Sequence, residues 1–241
     1  MDRRPLGGLQ LAAVLLGVLS FVMVLGASVT AAVVQHRDDP SGTEGLDGRD
    51  SVGWSVVRGT PGPSDAPALY RVPEGWDTQT ADKPVQYTAS DGSVLASGHS
   101  TSLYYGNDCS QAKARIAGGW AALADTDAAQ GAGDDLVDAA EKALRAWGTG
   151  YATHVNGATG PMTAFPGQSV ELDDGTTAGR ARMEIDMSAF EGACLPDTAE
   201  IMVTSIRTAD GVKSLVQARY LLKEGAISDE QWSRIADSLS G

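Results

Sequence analysis

Positive charge is scarce in this 241-residue sequence: 18 lysines and arginines stand against 31 aspartates and glutamates, a formal net charge of −13 at pH 7. Three of the basic residues (Arg3, Arg4 and Arg37) but only one acidic residue (Asp2) precede position 38. The rest of the chain therefore carries 15 basic against 30 acidic residues, a formal −15. Binding to phosphate backbones needs a basic footprint, so nucleic acid is excluded as a partner. Flat adsorption onto anionic lipid heads lacks its electrostatic drive for the same reason. The acidic balance suits a soluble domain and leaves attraction to basic partners open.

Cysteine and histidine are equally sparse. The two cysteines, Cys109 and Cys194, are too far apart for a CxxC redox pair or a zinc knuckle. Of the three histidines, His36, His99 and His154, none has a partner at metal or catalytic spacing. The sequence holds no Gly-x-Ser-x-Gly elbow, no phosphate loop and no His-Glu-x-x-His. The neighbouring carboxylates Asp134-Asp135 and Asp173-Asp174 lack the twelve-residue calcium loop with its closing glutamate, and read as a helix cap and a turn. The expectation is a non-enzymatic protein with no catalytic, metal or cofactor residue.

Residues 9–34 form an apolar run with a single strongly polar residue, Gln10, and no charge. About 20 apolar residues suffice to cross a bilayer core. Arg3 and Arg4 before it, and Asp38 and Asp39 after it, orient it with the N-terminus inside. The expectation is a single-pass anchor in the cell membrane, held by lipid, with residues 1–8 cytoplasmic and everything after the run extracytoplasmic. A cleaved signal peptide, using the small residues at Ala27, Ser28, Ala31 and Ala32, and a twin-arginine export signal are the rival readings. Outside the cytoplasm a Cys109–Cys194 disulfide becomes the default. It closes a loop of about 86 residues, worth about 4–5 kcal/mol on the chain-entropy model; a pair of buried thiols is the alternative.

Residues 35–67 are dense in Gly, Pro, Ser and Asp and read as a disordered tether, which cannot bury enough apolar surface to repay its ordering. Trp54-Ser55-Val56-Val57 interrupts it, either as chance hydrophobicity or as a short docking strand. Residues 68–241 are long enough for one domain with its own core. A strand opens it at 68–72. The pairs Asp91-Gly92, Asp174-Gly175 and Asp210-Gly211 mark hairpin turns. Strands are expected at 93–105, 180–187, 200–206 and 212–222. In 180–187, Ala181, Met183, Ile185 and Met187 alternate with Arg180, Arg182, Glu184 and Asp186. Period two puts the first set in a core and the second in water or under another layer. Helices are expected at 110–124 (Ala112, Ile116, Trp120, Leu123), at 134–147 and at the C-terminus, where Ser228 and Gln231 fit a capping box.

This order carries a Tyr70-x-Val72-Pro73-x-x-Trp76 corner, a cysteine before a helix, Cys194-Leu195-Pro196 in a late loop and a terminal Ile235…Ser238-Leu239 helix. It resembles the PsbP-like fold, and more narrowly uncharacterised actinobacterial proteins with a membrane helix, a low-complexity tether and one such domain. The resemblance covers about residues 68–241. It implies an α+β fold, an α-β-α sandwich around a mainly antiparallel sheet. It transfers no catalytic residue, since members of this fold mostly serve as binding or assembly modules. The function expected is a membrane-tethered extracytoplasmic binding module with an envelope or membrane protein partner. Trp76 and Trp54 are the candidate partner or ligand surface. A small-ligand or lipid-binding protein, with a cavity lined by residues such as Trp76 or Trp120, is the alternative; Trp147 and Trp232 could line it too, but Trp120, Trp147 and Trp232 lie on expected helix stripes and read as core.

Overall fold

The computed structural model describes residues 53–60, 67–89, 91–109, 114–124, 135–153, 160–188, 196–221 and 225–241, with backbone alone for 107–109 and 114–117. The expected membrane helix 9–34, and residues 35–52 and 61–66 of the expected tether, lie outside the described residues. Among those described, no helix is long and apolar enough to cross a membrane.

In chain order the elements are β1 (Trp54–Arg58), β2 (Leu69–Pro73), β3 (Asp77–Thr78), β4 (Val85–Thr88), β5 (Val94–Cys109), β6 (Ala114–Ala124), then helix α1 (Leu136–Ala152). They continue with β7 (Met162–Glu171), β8 (Thr177–Asp186), β9 (Thr198–Thr208), β10 (Gly211–Tyr220) and helix α2 (Asp229–Asp237). The main sheet runs β3-β5-β6-β10-β9-β8-β7, with β4 also on β5. Every pairing is antiparallel. The three Asp-Gly pairs close the hairpins β4–β5, β7–β8 and β9–β10. Their glycines Gly92, Gly175 and Gly211 have φ of +85°, +82° and +106°, a region costly for any residue with a Cβ.

The sheet is the middle layer of three. On one face α1 lays Ala140, Ala143, Leu144 and Trp147 onto Ala181, Met183, Ile185, Ile201, Val203 and Val216. On the other, the β1–β2 hairpin and α2 bring Val57, Tyr70, Val72, Ile235 and Leu239 onto Ala121, Leu123, Ala178, Ile206 and Leu215. The alternation expected in β8 holds. Ala181, Met183, Ile185 and the following Met187 are buried under α1, while Arg180, Arg182 and Glu184 are half-buried on the opposite face.

Both described helices start as their caps predict. Asp135 accepts hydrogen bonds from the backbone N–H groups of Val137 and Asp138 at 2.9 and 3.2 Å. Ser228 and Gln231 form the reciprocal capping box. The helix expected over 110–124 is corrected: residues 114–124 are strand β6, between β5 and β10. Trp120, Ala122 and Ala124 face the α1 core, and Ala121 and Leu123 face the other. A central strand buried on both sides reads as an unbroken apolar run, and such a run fits helical spacing as easily as period two. Gly118-Gly119 therefore lies in a strand.

The tether is corrected too. Its residues 54–58 form β1, paired with β2 from Trp54↔Pro73 to Arg58↔Leu69. Val57 supplies the reason, since it is the one side chain of β1 that is fully buried.

Candidate functional site

The two tryptophans picked out as a candidate surface sit on one layer of the molecule, beside α2. Trp54 opens β1, half-buried, and the Arg234 guanidinium of α2 lies 4.5 Å from its ring centre. Trp76 stands in the turn after β2 and is also half-buried. It stacks on Tyr104, with ring centres 5.6 Å apart and planes 28° from parallel. Its other neighbours are the cluster of Met202, Ile227, Trp232 and Ala236. The sheet beneath is shaped for this stack. A Cβ on Gly118 would come within 3.0 Å of the Tyr104 ring, and one on Gly106 within 3.2 Å, so glycine at these positions lets the ring lie against the sheet without shifting. The β1–β2 hairpin, which carries Trp54 and leads into the Trp76 turn, is tied to residues 238–240 after α2. Arg71 N–H donates to Ser238 Oγ at 2.8 Å, and Leu69 and Ser240 exchange backbone hydrogen bonds.

Beneath α2 lies an ion network. Glu200 and Arg219, neighbours on β9 and β10, are both buried. Arg219 Nε donates to Glu200 Oε2 at 2.6 Å, its Nη1 to the Ile227 carbonyl at 3.1 Å, and its Nη2 meets Asp229 at 2.7 Å. Arg182 Nη1 donates to the second Glu200 oxygen at 3.1 Å while its guanidinium lies over Phe165. Arg180 joins Asp237 at 2.6 Å and Thr204 at 3.2 Å. Both Glu200 oxygens are engaged by arginines of the neighbouring strands β8 and β10, and Arg219, held by Glu200, is the strut that reaches Asp229 of α2. Sequence reading did not assemble this network. Its signal was Glu200 and Arg219 standing in strands expected to be central to the sheet, since charged residues are almost never buried unless paired.

The remaining sequence candidates fall in several places. Trp120, Trp147 and Trp232 are core residues, 7%, 0% and 2% exposed. A shallow groove of about 250 Å³ lies between α1 and β7, lined by Glu141, Leu144, Arg145, Ala164, Phe165 and Pro166. His99 Nδ1 is 3.2 Å from the Leu123 carbonyl and Nε2 3.3 Å from Thr60 Oγ1, a loop-pinning role. Asp174 accepts the Thr176 N–H at 2.9 Å, as a turn residue does. His36, His154, Asp134 and Cys194 lie outside the described residues, as does the side chain of Cys109. The backbone of Cys109 faces Ala114, at the end of the sheet where β8 stops and β9 begins. Among the described residues no three His, Cys, Asp or Glu side chains come together as a metal site would require.

Four tyrosines carry shifted phenols. Burial raises Tyr87, Tyr151 and Tyr220 under α1 above the ordinary tyrosine range, and the charge of Tyr220 adds to the rise for the first two. Burial likewise raises Tyr70 on the α2 side, although hydrogen bonds with Ser102 act against it.

Residues 51–240 match the model of a family described as "Domain of unknown function (DUF8017)". No curated protein matches the chain. Among solved structures the chain is similar to the Ran-binding protein Mog1p of Saccharomyces cerevisiae. Identity is 12%, with 72% of this chain and 89% of that chain covered and a TM-score of 0.39.

Proposed function

We propose that this chain, which belongs to the DUF8017 family, is a membrane-tethered extracytoplasmic module, non-enzymatic, that binds or assembles with an envelope or membrane protein. The observation that carries the reading is the pair Trp54 and Trp76, half-buried on the α2 layer and held by Arg234 and Tyr104. Tryptophan, tyrosine and arginine dominate interface hot spots. Side chains already fixed by neighbours lose little entropy on binding. The apolar run at 9–34 supports the anchor, and the α-β-α order of layers supports the PsbP-like reading. A carrier of small hydrophobic ligands needs an enclosed apolar pocket; Trp120 and Trp147 instead pack 5.2 Å apart in the core.

The test is in-cell photocrosslinking of the full chain. The reactive group goes at position 54, at position 76 or, as control, at Lys142 on α1. A second control joins residues 1–52 to an unrelated domain. One membrane or envelope protein enriched from positions 54 and 76 over both controls is the expected result. Equal capture from all positions would remove the reading. The Cys109–Cys194 disulfide belongs to the same proposal, and peptide mapping without reductant should recover the two cysteines joined; free thiols in exported protein would overturn it.

A further inference from the structure

Three arginines on the α2 side of the sheet lie on aromatic rings: Arg182 on Phe165 at 4.2 Å, Arg219 on Trp232 at 5.1 Å and Arg234 on Trp54 at 4.5 Å. Trp76 is the exception. Among the described residues no cation sits on its ring, although its stack on Tyr104 holds it in place. The charged residues that flank it along the chain are acidic. Glu74 and Asp77, one on each side along the turn, are exposed. Across the shared cluster with Ile227 and Trp232, the first turn of α2 presents Asp229 and Glu230. Asp229 keeps 93% of its side chain exposed while paired to Arg219. No basic residue lies between positions 72 and 82, and Arg234, the only one in α2, is taken by Trp54.

We infer that Trp76, flanked by the exposed carboxylates Glu74 and Asp77, is a socket for a lysine or arginine side chain on a basic segment of the protein partner. The inference rests on reading this face as the partner surface and names that partner's chemistry. An indole face attracts a cation through its quadrupole, and the flanking carboxylates add Coulomb attraction that salt screens. A net charge of −13 steers basic partners toward the domain and repels a second copy.

The probe is a labelled twelve-residue peptide alternating Arg with Gly and Ser, titrated into the full chain in non-ionic detergent. A Glu-for-Arg peptide serves as control. Binding is read by anisotropy and by the indole N–H resonances of the tryptophans. The arginine peptide should bind, weaken in high salt and move the Trp76 indole while that of Trp147 stays still; the Glu peptide should not bind. Exchanging the exposed pair, Glu74→Gln with Asp77→Asn, should weaken binding about two- to fivefold. Trp76→Phe, which keeps a ring, should weaken it by a similar factor, and Trp54→Phe should leave it unchanged. Equal affinity across these variants overturns the socket, and so does calcium alone moving the Trp76 resonance. If position 76 captures a partner in cells while the arginine peptide fails to bind, the basic specificity falls and the partner surface stands. If position 76 captures nothing, the surface itself falls.

Discussion

The two faces of one sheet are built from different materials. Under α1 the core contacts are apolar and aromatic, with one polar tie at the edge where Gly167 N–H of β7 donates to Glu141 at 3.0 Å. Trp147 is sealed between Tyr87 at 5.7 Å and Trp120 at 5.2 Å, and α1 keeps its ion pairs, Lys142–Asp138 and Arg145–Glu141, on its outer side. Under α2 the same strands turn up Arg180, Arg182, Glu200, Thr204, Gln217 and Arg219; Arg180, Gln217 and Arg219 bond to the helix above, and the others to their neighbours in the sheet. Dry packing contributes stability in proportion to the area removed from water. A buried ion network contributes little net stability but penalises the loss of any one member. Both faces carry an apolar core, and the α2 face adds the ion network that sets the helix in one arrangement.

The largest test of this contrast is alkaline. The folded-state phenols of Tyr87, Tyr151 and Tyr220 lie above their unfolded value of about 10. The stability they hold is present in full below about pH 10 and is lost as pH rises toward the folded values. The loss is about 1.4 kcal/mol per tyrosine per pH unit. Phenolate absorbance should therefore lag a free-tyrosine titration and then appear together with the loss of near-ultraviolet circular dichroism. Independent early titration of all six tyrosines would show that the α1 cluster is open.

Next in size is Trp147→Ala, expected to cost about 3–5 kcal/mol in denaturant unfolding because nothing around the residue is free to refill its space. Glu200→Gln should cost about 3 kcal/mol, leaving Arg219 buried beside a neutral amide. Replacing the pair together, Glu200→Leu with Arg219→Met, should recover most of that loss while the fluorescence of Trp54 and Trp76 changes. If the double replacement is as unstable as the single one, the network is a source of stability and the contrast between faces fails. Smallest is Ser228→Ala, about 1 kcal/mol, since it removes one cap from a helix that Trp232, Ile235 and Leu239 still hold down.

Much of this was legible from local pattern. The Asp-Gly turns, the period-two alternation of 180–187 and the capping box at Ser228 each depend on neighbours a few residues away, and each lies where it was read. Strand β6 was misread because Gly118, Gly119, Ala121 and Ala122 are small enough to fit either period, and the sheet around them chooses. The candidate surface was half legible. A tryptophan in a Gly/Pro-rich segment is a recognisable sequence signal, but Trp54 and Arg234 are brought together only by the fold.

The sequence by itself determined the class of this protein: an acidic domain behind an apolar run, with antiparallel strands punctuated by Asp-Gly and a capped final helix. These follow from side-chain periodicity, turn chemistry and charge, which act over a few residues. Only the tertiary structure decided that Trp54–Arg58 joins the domain, that 114–124 is a strand, and that Arg180, Arg182, Glu200, Arg219, Asp229 and Asp237 meet under one helix. Those outcomes depend on pairing between segments up to about 180 residues apart. There the free energy lies in shared burial and paired charge, and no single segment carries it alone.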